Sequence, residues 1–279
     1  MRVKKCILLA GIGVLSMLCL GGCTGKRSMT EDSVRQKDQV EEENTFQGLE
    51  DNMVFDVLWK DQKETWFAGN ASCITMDGLK EPVLITAYHL FSDEETFGEK
   101  DSGYKANVVD QKISGTLYDI KDWNQEGYTS GKVEFNESYA KAAPVAEIDH
   151  PLFVEDAVSL HNDVAVFTLK DSSHVTPLPI SESECQEGDV VYIMGTSFEE
   201  KNQRGDCTYE ASVFSVKDNL VMMKVTDAID FSGCSGCPVV NTKGEFVGML
   251  LSSSGSYVGM NTTQTIREDL KKLNVYSQP

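Results

Sequence analysis

Residues 231–240 read Phe-Ser-Gly-Cys-Ser-Gly-Cys-Pro-Val-Val, and two chemistries compete for them. Cys234-Ser235-Gly236-Cys237 has the C-x-x-C spacing of a redox dithiol or of half a zinc site. The overlapping stretch from Gly233 to Pro238 is a G-x-S-G-x-P, a tight loop suited to presenting a nucleophilic serine. A redox C-x-x-C opens a helix after a strand, whereas Pro238-Val239-Val240 runs into a strand pattern. A zinc site wants a second ligand pair of similar spacing, and Cys73, Cys185 and Cys207 stand alone in sequence, so no metal is expected. Cys234 as nucleophile would place serine, not glycine, beside it. The stretch reads as a serine loop, with Cys234 and Cys237 kept as a candidate redox pair.

A serine hydroxyl is a poor nucleophile until a base takes its proton. The base needs an acid to fix its tautomer, and the oxyanion formed needs backbone N–H donors. The chain has four histidines. His150 precedes Pro151 in an expected turn, His174 lies in the polar run Asp171-Ser-Ser-His174, and His161 stands two residues before a strand. His89 differs, because it closes the apolar run Val83-Leu-Ile-Thr-Ala-Tyr-His89 and is expected at a strand end. Asp163 opens the next clear strand, Asp163-Val-Ala-Val-Phe-Thr-Leu169. The order is His89, Asp163, Ser235, with separations of 74 and 72 residues.

Around these residues the signals are short β runs separated by turns. Thr65–Thr75 and Glu81–Leu90 flank an Asp77-Gly78 turn, and further runs lie at Asp189–Gly195, Tyr209–Val216, Leu220–Val225, Pro238–Ser253 and Ser256–Met260. Lys217-Asp-Asn219 and Lys243-Gly244 read as hairpin turns. This pattern predicts an all-β barrel or sandwich. A single helix is expected at 263–274, capped by Thr262 or Thr263, with Ile266, Leu270 and Leu273 on one face. Between Phe91 and Val158 the strand pattern blurs, and there Lys105–Val109 and Ser114–Ile120 are only strand-like, amid acidic and glycine-containing loops.

At this point the sequence resembles a known family. Ile85-Thr-Ala-Tyr-His-Leu90 resembles the histidine segment of trypsin-like serine peptidases, and Asn162-Asp-Val-Ala-Val-Phe-Thr-Leu169 resembles their aspartate strand. Thr226–Met249 is similar to the serine region of the HtrA/Deg proteases, followed by a glycine-turned hairpin. The chain order is also that of the chymotrypsin class. The resemblance implies two packed antiparallel β-barrels with a short C-terminal helix, within a peptidase domain at 49–274. The first barrel would span about 49–170 and the second about 176–262. It implies His89 as general base, Asp163 as its orienting acid, and Ser235 as nucleophile. The N–H groups of Gly233 and Ser235 would form the oxyanion hole, and Ile229, six residues before the serine, would floor the substrate pocket. No cofactor is implied. The sequence departs from the family at Cys234 and Cys237, and the bridge beside the histidine is absent, since Leu90 follows His89.

The N-terminus supplies an address. Residues 1–23 combine a positive start, Met1-Arg-Val-Lys-Lys5, with an apolar run from Ile7 to Leu20, the layout of an export signal. Leu20-Gly-Gly-Cys23 resembles the lipobox of bacterial lipoproteins, which implies lipidation of Cys23 and anchorage to the cell membrane on its extracytoplasmic face. Residues 24–48 are charged and poor in apolar side chains, and are expected to form a disordered tether. Without the three basic residues of the signal, 22 basic residues face 44 acidic ones, a net charge near −22. Such a surface repels nucleic acid and anionic lipid, so partners other than a protein or peptide substrate and the lipid anchor are not expected.

Three functions fit to different degrees. A membrane-anchored serine endopeptidase uses every feature above. A catalytically inactive trypsin-fold binding lipoprotein would keep the fold without the chemistry. A dithiol redox protein would use Cys234 and Cys237 but lacks its βαβ context.

Overall fold

The computed structural model describes residues 46–60, 65–91, 113–123, 143–152, 163–195, 207–217, 219–226 and 230–273. The signal segment, Cys23, most of the tether, Lys105–Val109, His161 and Ile229 lie outside the described residues. Among the described residues no helix is long and apolar enough to cross a membrane.

The first half of the body is a ring. Strands β1 (Val54–Lys60), β3 (Ala71–Thr75), β4 (Val83–Thr86), β5 (Ser114–Asp119), β6 (Ala146–Leu152) and β7 (Ala165–Leu169) pair in the order β1-β5-β6-β7-β4-β3. The pairing of Val54 with Ser72 and of Phe55 with Ala71 returns β3 to β1 and closes the barrel. Strand β2 (Thr65–Phe67) extends β1, and β8 (Leu178–Pro179) joins β3 in parallel. The second half is a closed antiparallel barrel of β9 (Val190–Met194), β10 (Thr208–Lys217), β11 (Leu220–Val225), β12 (Pro238–Asn241), β13 (Phe246–Ser254) and β14 (Tyr257–Asn261). Its ring order is β10-β11-β14-β13-β12-β9. The expected pair of antiparallel barrels is therefore present.

Some strands bury successive residues, on both of their faces, because both faces are covered. Successive side chains of a strand point to opposite faces. In β4, Leu84 faces the first barrel's interior with Phe55 and Cys73, while Val83 and Ile85 join the cluster between the barrels. In β13, Val247 and Leu250 fill the second barrel, while Phe246, Met249 and Leu251 join the same intervening cluster. Strand β10, on the outer wall, alternates instead, with Ala211 and Val213 buried and Ser212 and Phe214 exposed.

Two further segments tie the halves together. The predicted helix, α2 (Thr263–Lys272; α1 is the single turn Ile120–Trp123), is capped by Thr262, whose Oγ1 accepts from the Thr265 N–H at 3.2 Å. Ile266 and Leu270 enter the intervening cluster, and the Arg267 guanidinium donates to the Ile180 and Ser181 carbonyls. At the other end, the Phe46 N–H donates to Thr242 O at 2.6 Å, and its ring lies 5.3 Å from that of Tyr192. The chain then crosses to the first barrel and enters β1.

Four local expectations need correction. Phe46, placed in the tether, packs against the body through those contacts. The run Thr65–Thr75 is two strands rather than one, broken at Ala68–Asn70, because β2 and β3 pair with different parts of β1. His150 and Pro151 lie inside β6 rather than in a turn, where a register irregularity between Ile148 and His150 accommodates a residue that cannot donate to the ladder. Leu178–Pro179, assigned to the second barrel, pair with the first.

Candidate active site

The site assembles from one turn, one strand entry and one loop. Strand β4 ends at Thr86, and His89 sits on a 3-10 turn, Tyr88–Phe91, rather than closing the strand as expected. Tyr88 and Leu90 are buried on either side of it and hold the turn against the core. Asp163, two residues before β7, is 5 % exposed and binds this turn at several points. Its Oδ1 accepts from the His89 N–H at 2.7 Å, its carbonyl accepts from the Tyr88 N–H at 3.4 Å, and its Oδ2 lies 2.5 Å from His89 Nδ1. The pairing of β4 with β7 puts the two segments side by side.

Ser235 arrives from the second barrel. Its Oγ lies 2.8 Å from His89 Nε2, so the imidazole bridges carboxylate and hydroxyl. The loop consists of two consecutive turns, closed by Cys234 N–H to Phe231 O at 3.0 Å and by Cys237 N–H to Cys234 O at 2.9 Å. Gly233 (φ 88°) and Gly236 (φ 86°) occupy the third position of each turn, a conformation that a side chain would strain. Beyond the loop, Gly236 N–H to Leu250 O and Leu250 N–H to Cys237 O, both 2.9 Å, join it to the β12–β13 ladder. The N–H groups of Gly233 and Ser235 have no acceptor among the described residues.

Electrostatics favour a base at His89. Burial disfavours the imidazolium, but the charge and hydrogen bond of Asp163 favour it more, and the pKa lies above the ordinary histidine value. The bond from His89 Nδ1 to Asp163 leaves Nε2 to accept the serine proton. His150, in β6, and His174, in the loop after β7, are exposed.

None of the five described cysteines is paired in a disulfide with another. Cys234 and Cys237 are 1 % and 0 % exposed and pack into the second barrel's core, where each fills space beside Ser235. Cys73 is buried in the first barrel's core, and burial drives its thiol far above the ordinary range. Burial, with the charges of Asp189 and Glu184, pushes Cys185 up to about 12. No cluster of metal-ligating side chains occurs among the described residues.

Sequence reasoning missed Asn70 and Thr86. Asn70, 1 % exposed, donates its backbone N–H to Ser235 O at 2.8 Å and its Nδ2 to Gly233 O at 3.0 Å. Thr86 Oγ1 in turn donates to Asn70 O at 2.6 Å. The one available signal was Gly69-Asn70 interrupting an apolar run, and such a break says nothing about what the amide reaches.

Two closed antiparallel barrels, meeting where His89 and Asp163 of one approach Ser235 of the other, define a chymotrypsin-like fold. A family model described as the trypsin-like peptidase domain matches residues 69–249, and the chain belongs to that family. Among solved structures, the chain is similar to the active form of the Rv3671c protease from M. tuberculosis. That match has 12% identity and a TM-score of 0.47, over 82% of this chain and 83% of that one. The inactive form of the Rv3671c protease matches at 12% identity and a TM-score of 0.46, over 80% and 89% of the two chains. Comparison with the curated proteins found no match.

Proposed function

We propose that this trypsin-like peptidase is an active serine endopeptidase, anchored by a lipid on Cys23 and cutting proteins outside the cytoplasmic membrane. In this reading His89 takes the proton from Ser235 Oγ as the oxygen attacks the scissile carbonyl. Asp163 holds the imidazole and stabilises its protonated form. The N–H groups of Gly233 and Ser235 receive the oxyanion, and His89 then returns the proton to the leaving amine, so water can release the acyl group.

The observation that carries the reading is the position of His89, within hydrogen-bond reach of both Asp163 Oδ2 and Ser235 Oγ. An inactive binding protein would not need that alignment or two loop donors that lack an acceptor among the described residues. The lipid anchor rests on Leu20-Gly-Gly-Cys23 and the export-signal layout before it. Ile229 as the pocket floor offers no partner to a basic side chain, so small or medium apolar residues are expected before the cut.

A fluorophosphonate probe tests the central claim. It should label Ser235 in the parent and not in Ser235→Ala or His89→Ala, and an unlabelled parent would leave the inactive reading standing. The anchor is tested by fractionation, in which the parent should stay with salt-washed membranes and Cys23→Ala should not.

A further inference from the structure

We propose that Asn70 is a positioning residue: from the first barrel it sets the two backbone donors of the serine loop in the second. The inference rests on the serine-peptidase reading above and names how that site is held.

Along the loop, peptides fixed at both C=O and N–H alternate with peptides whose N–H has no acceptor among the described residues. The peptide joining residues 233 and 234 is fixed at both ends, by Asn70 Nδ2 on Gly233 O and by Phe231 O on the Cys234 N–H. The peptide joining residues 235 and 236 is likewise fixed, by the Asn70 N–H on Ser235 O and by Leu250 O on the Gly236 N–H. Between and before these lie the peptides that carry the Ser235 and Gly233 N–H groups, neither of which has an acceptor among the described residues. Because a peptide unit is planar, holding its C=O and N–H sets its plane and limits its neighbours. Asn70 thus supplies one of the two restraints on each held peptide.

The loop needs this outside support. Gly233 sits at φ 88°, and glycine populates positive and negative φ about equally, so its own preference does not choose the conformation. Asn70 is itself fixed from two sides. Thr86 Oγ1 donates to its carbonyl, and Gly236 packs so closely that an added Cβ would come 2.0 Å from the same oxygen. Thr86 ends the strand that leads into the His89 turn. One residue therefore links the base-bearing strand to the donor-bearing loop.

Asn70→Ala removes the bond to Gly233 O and leaves the backbone N–H and carbonyl of residue 70 in place. A donor lost from an oxyanion hole costs about 10²–10³ in kcat, and a donor loosened rather than lost should cost about 10- to 100-fold with KM within about twofold. Affinity for a peptide boronate, which mimics the tetrahedral intermediate, should weaken in parallel with kcat. Asn70→Ser, whose hydroxyl is too short to span the gap, should behave alike and serves if Asn70→Ala does not fold. Unchanged kcat in a folded variant beside an active parent would overturn this inference alone. So would a loss of kcat matched by an equal rise in KM, the mark of general distortion. A parent inert toward peptides and fluorophosphonate would overturn the peptidase reading, and this inference with it.

Discussion

The two barrels share one plan, a ring of six antiparallel strands, yet they hold their parts of the site in different ways. The first barrel fixes His89 from within: Asp163 of the same barrel binds its backbone and ring, and its turn is wedged by buried Tyr88 and Leu90. The second barrel fixes the Ser235 loop partly from outside, through Asn70. His89 is set locally and Ser235 is set across an interface. The geometry of this site therefore depends on how the barrels are packed together as well as on how each folds.

The most severe test is whether groups from separate barrels act as one unit. Ser235→Ala and His89→Ala should each lower kcat on the order of 10⁴–10⁶-fold, and the double variant should lose no more than either. Multiplying losses, measured on casein or a peptide substrate, would show that the barrels contribute independently.

The next test stays within the first barrel. Asp163→Asn should lower kcat by about 10⁴-fold. It should also move the acid limb of kcat/KM to lower pH, since Asp163 raises the His89 pKa and the burial that remains lowers it. Stability should run the opposite way. A histidine whose folded pKa is raised stabilises the fold fully below its unfolded pKa near 6.5, and that contribution fades as pH rises through the folded value. Denaturant titrations of parent and Asp163→Asn across this window should diverge at low pH and converge at high pH. A constant difference would break the assignment.

A smaller effect sharpens the contrast at the interface. Gly236→Ala forces a side chain into positive φ and against the Asn70 carbonyl, and should cost roughly 2–4 kcal/mol. Gly188→Ala, at φ 94° with nothing within 4 Å of the added Cβ, should cost only about 1 kcal/mol. Equal losses would mean that backbone strain alone, not the barrel contact, sets the cost. Smallest of all, Phe214→Ser on the outer wall, 59 % exposed against Tyr257, should change stability by less than about 0.5 kcal/mol.

The outer strands of the second barrel were plain in the sequence because one face meets water. The Lys217–Asn219 and Lys243-Gly244 turns then marked where the chain reversed. The helix at 263 was plain for a similar reason, a threonine cap followed by Ile266 and Leu270 on one face. Strand β6 was hidden, because His150-Pro151 signals a turn locally and only the irregular pairing with β7 lets it lie in a sheet. His89, Asp163 and Ser235 could be found by residue type, order and the runs around them. Asn70 could not, since its importance comes from bonds to residues 163 positions and more away in the chain. The break at Thr86 was missed too, because the apolar run continues unbroken into the turn that bears His89.

The docking of Phe46 also gives the molecule a load path. The segment that leads toward the N-terminus leaves from the second barrel, where Phe46 is pinned by Thr242 and Tyr192, before the chain reaches β1. A pull from that end would load the Phe46 contacts with Thr242, Tyr192 and the intervening cluster before it reached the strands of the first barrel. Phe46 is thus the point at which any load on the preceding chain would enter the body, at the second barrel and the cluster it shares with the first.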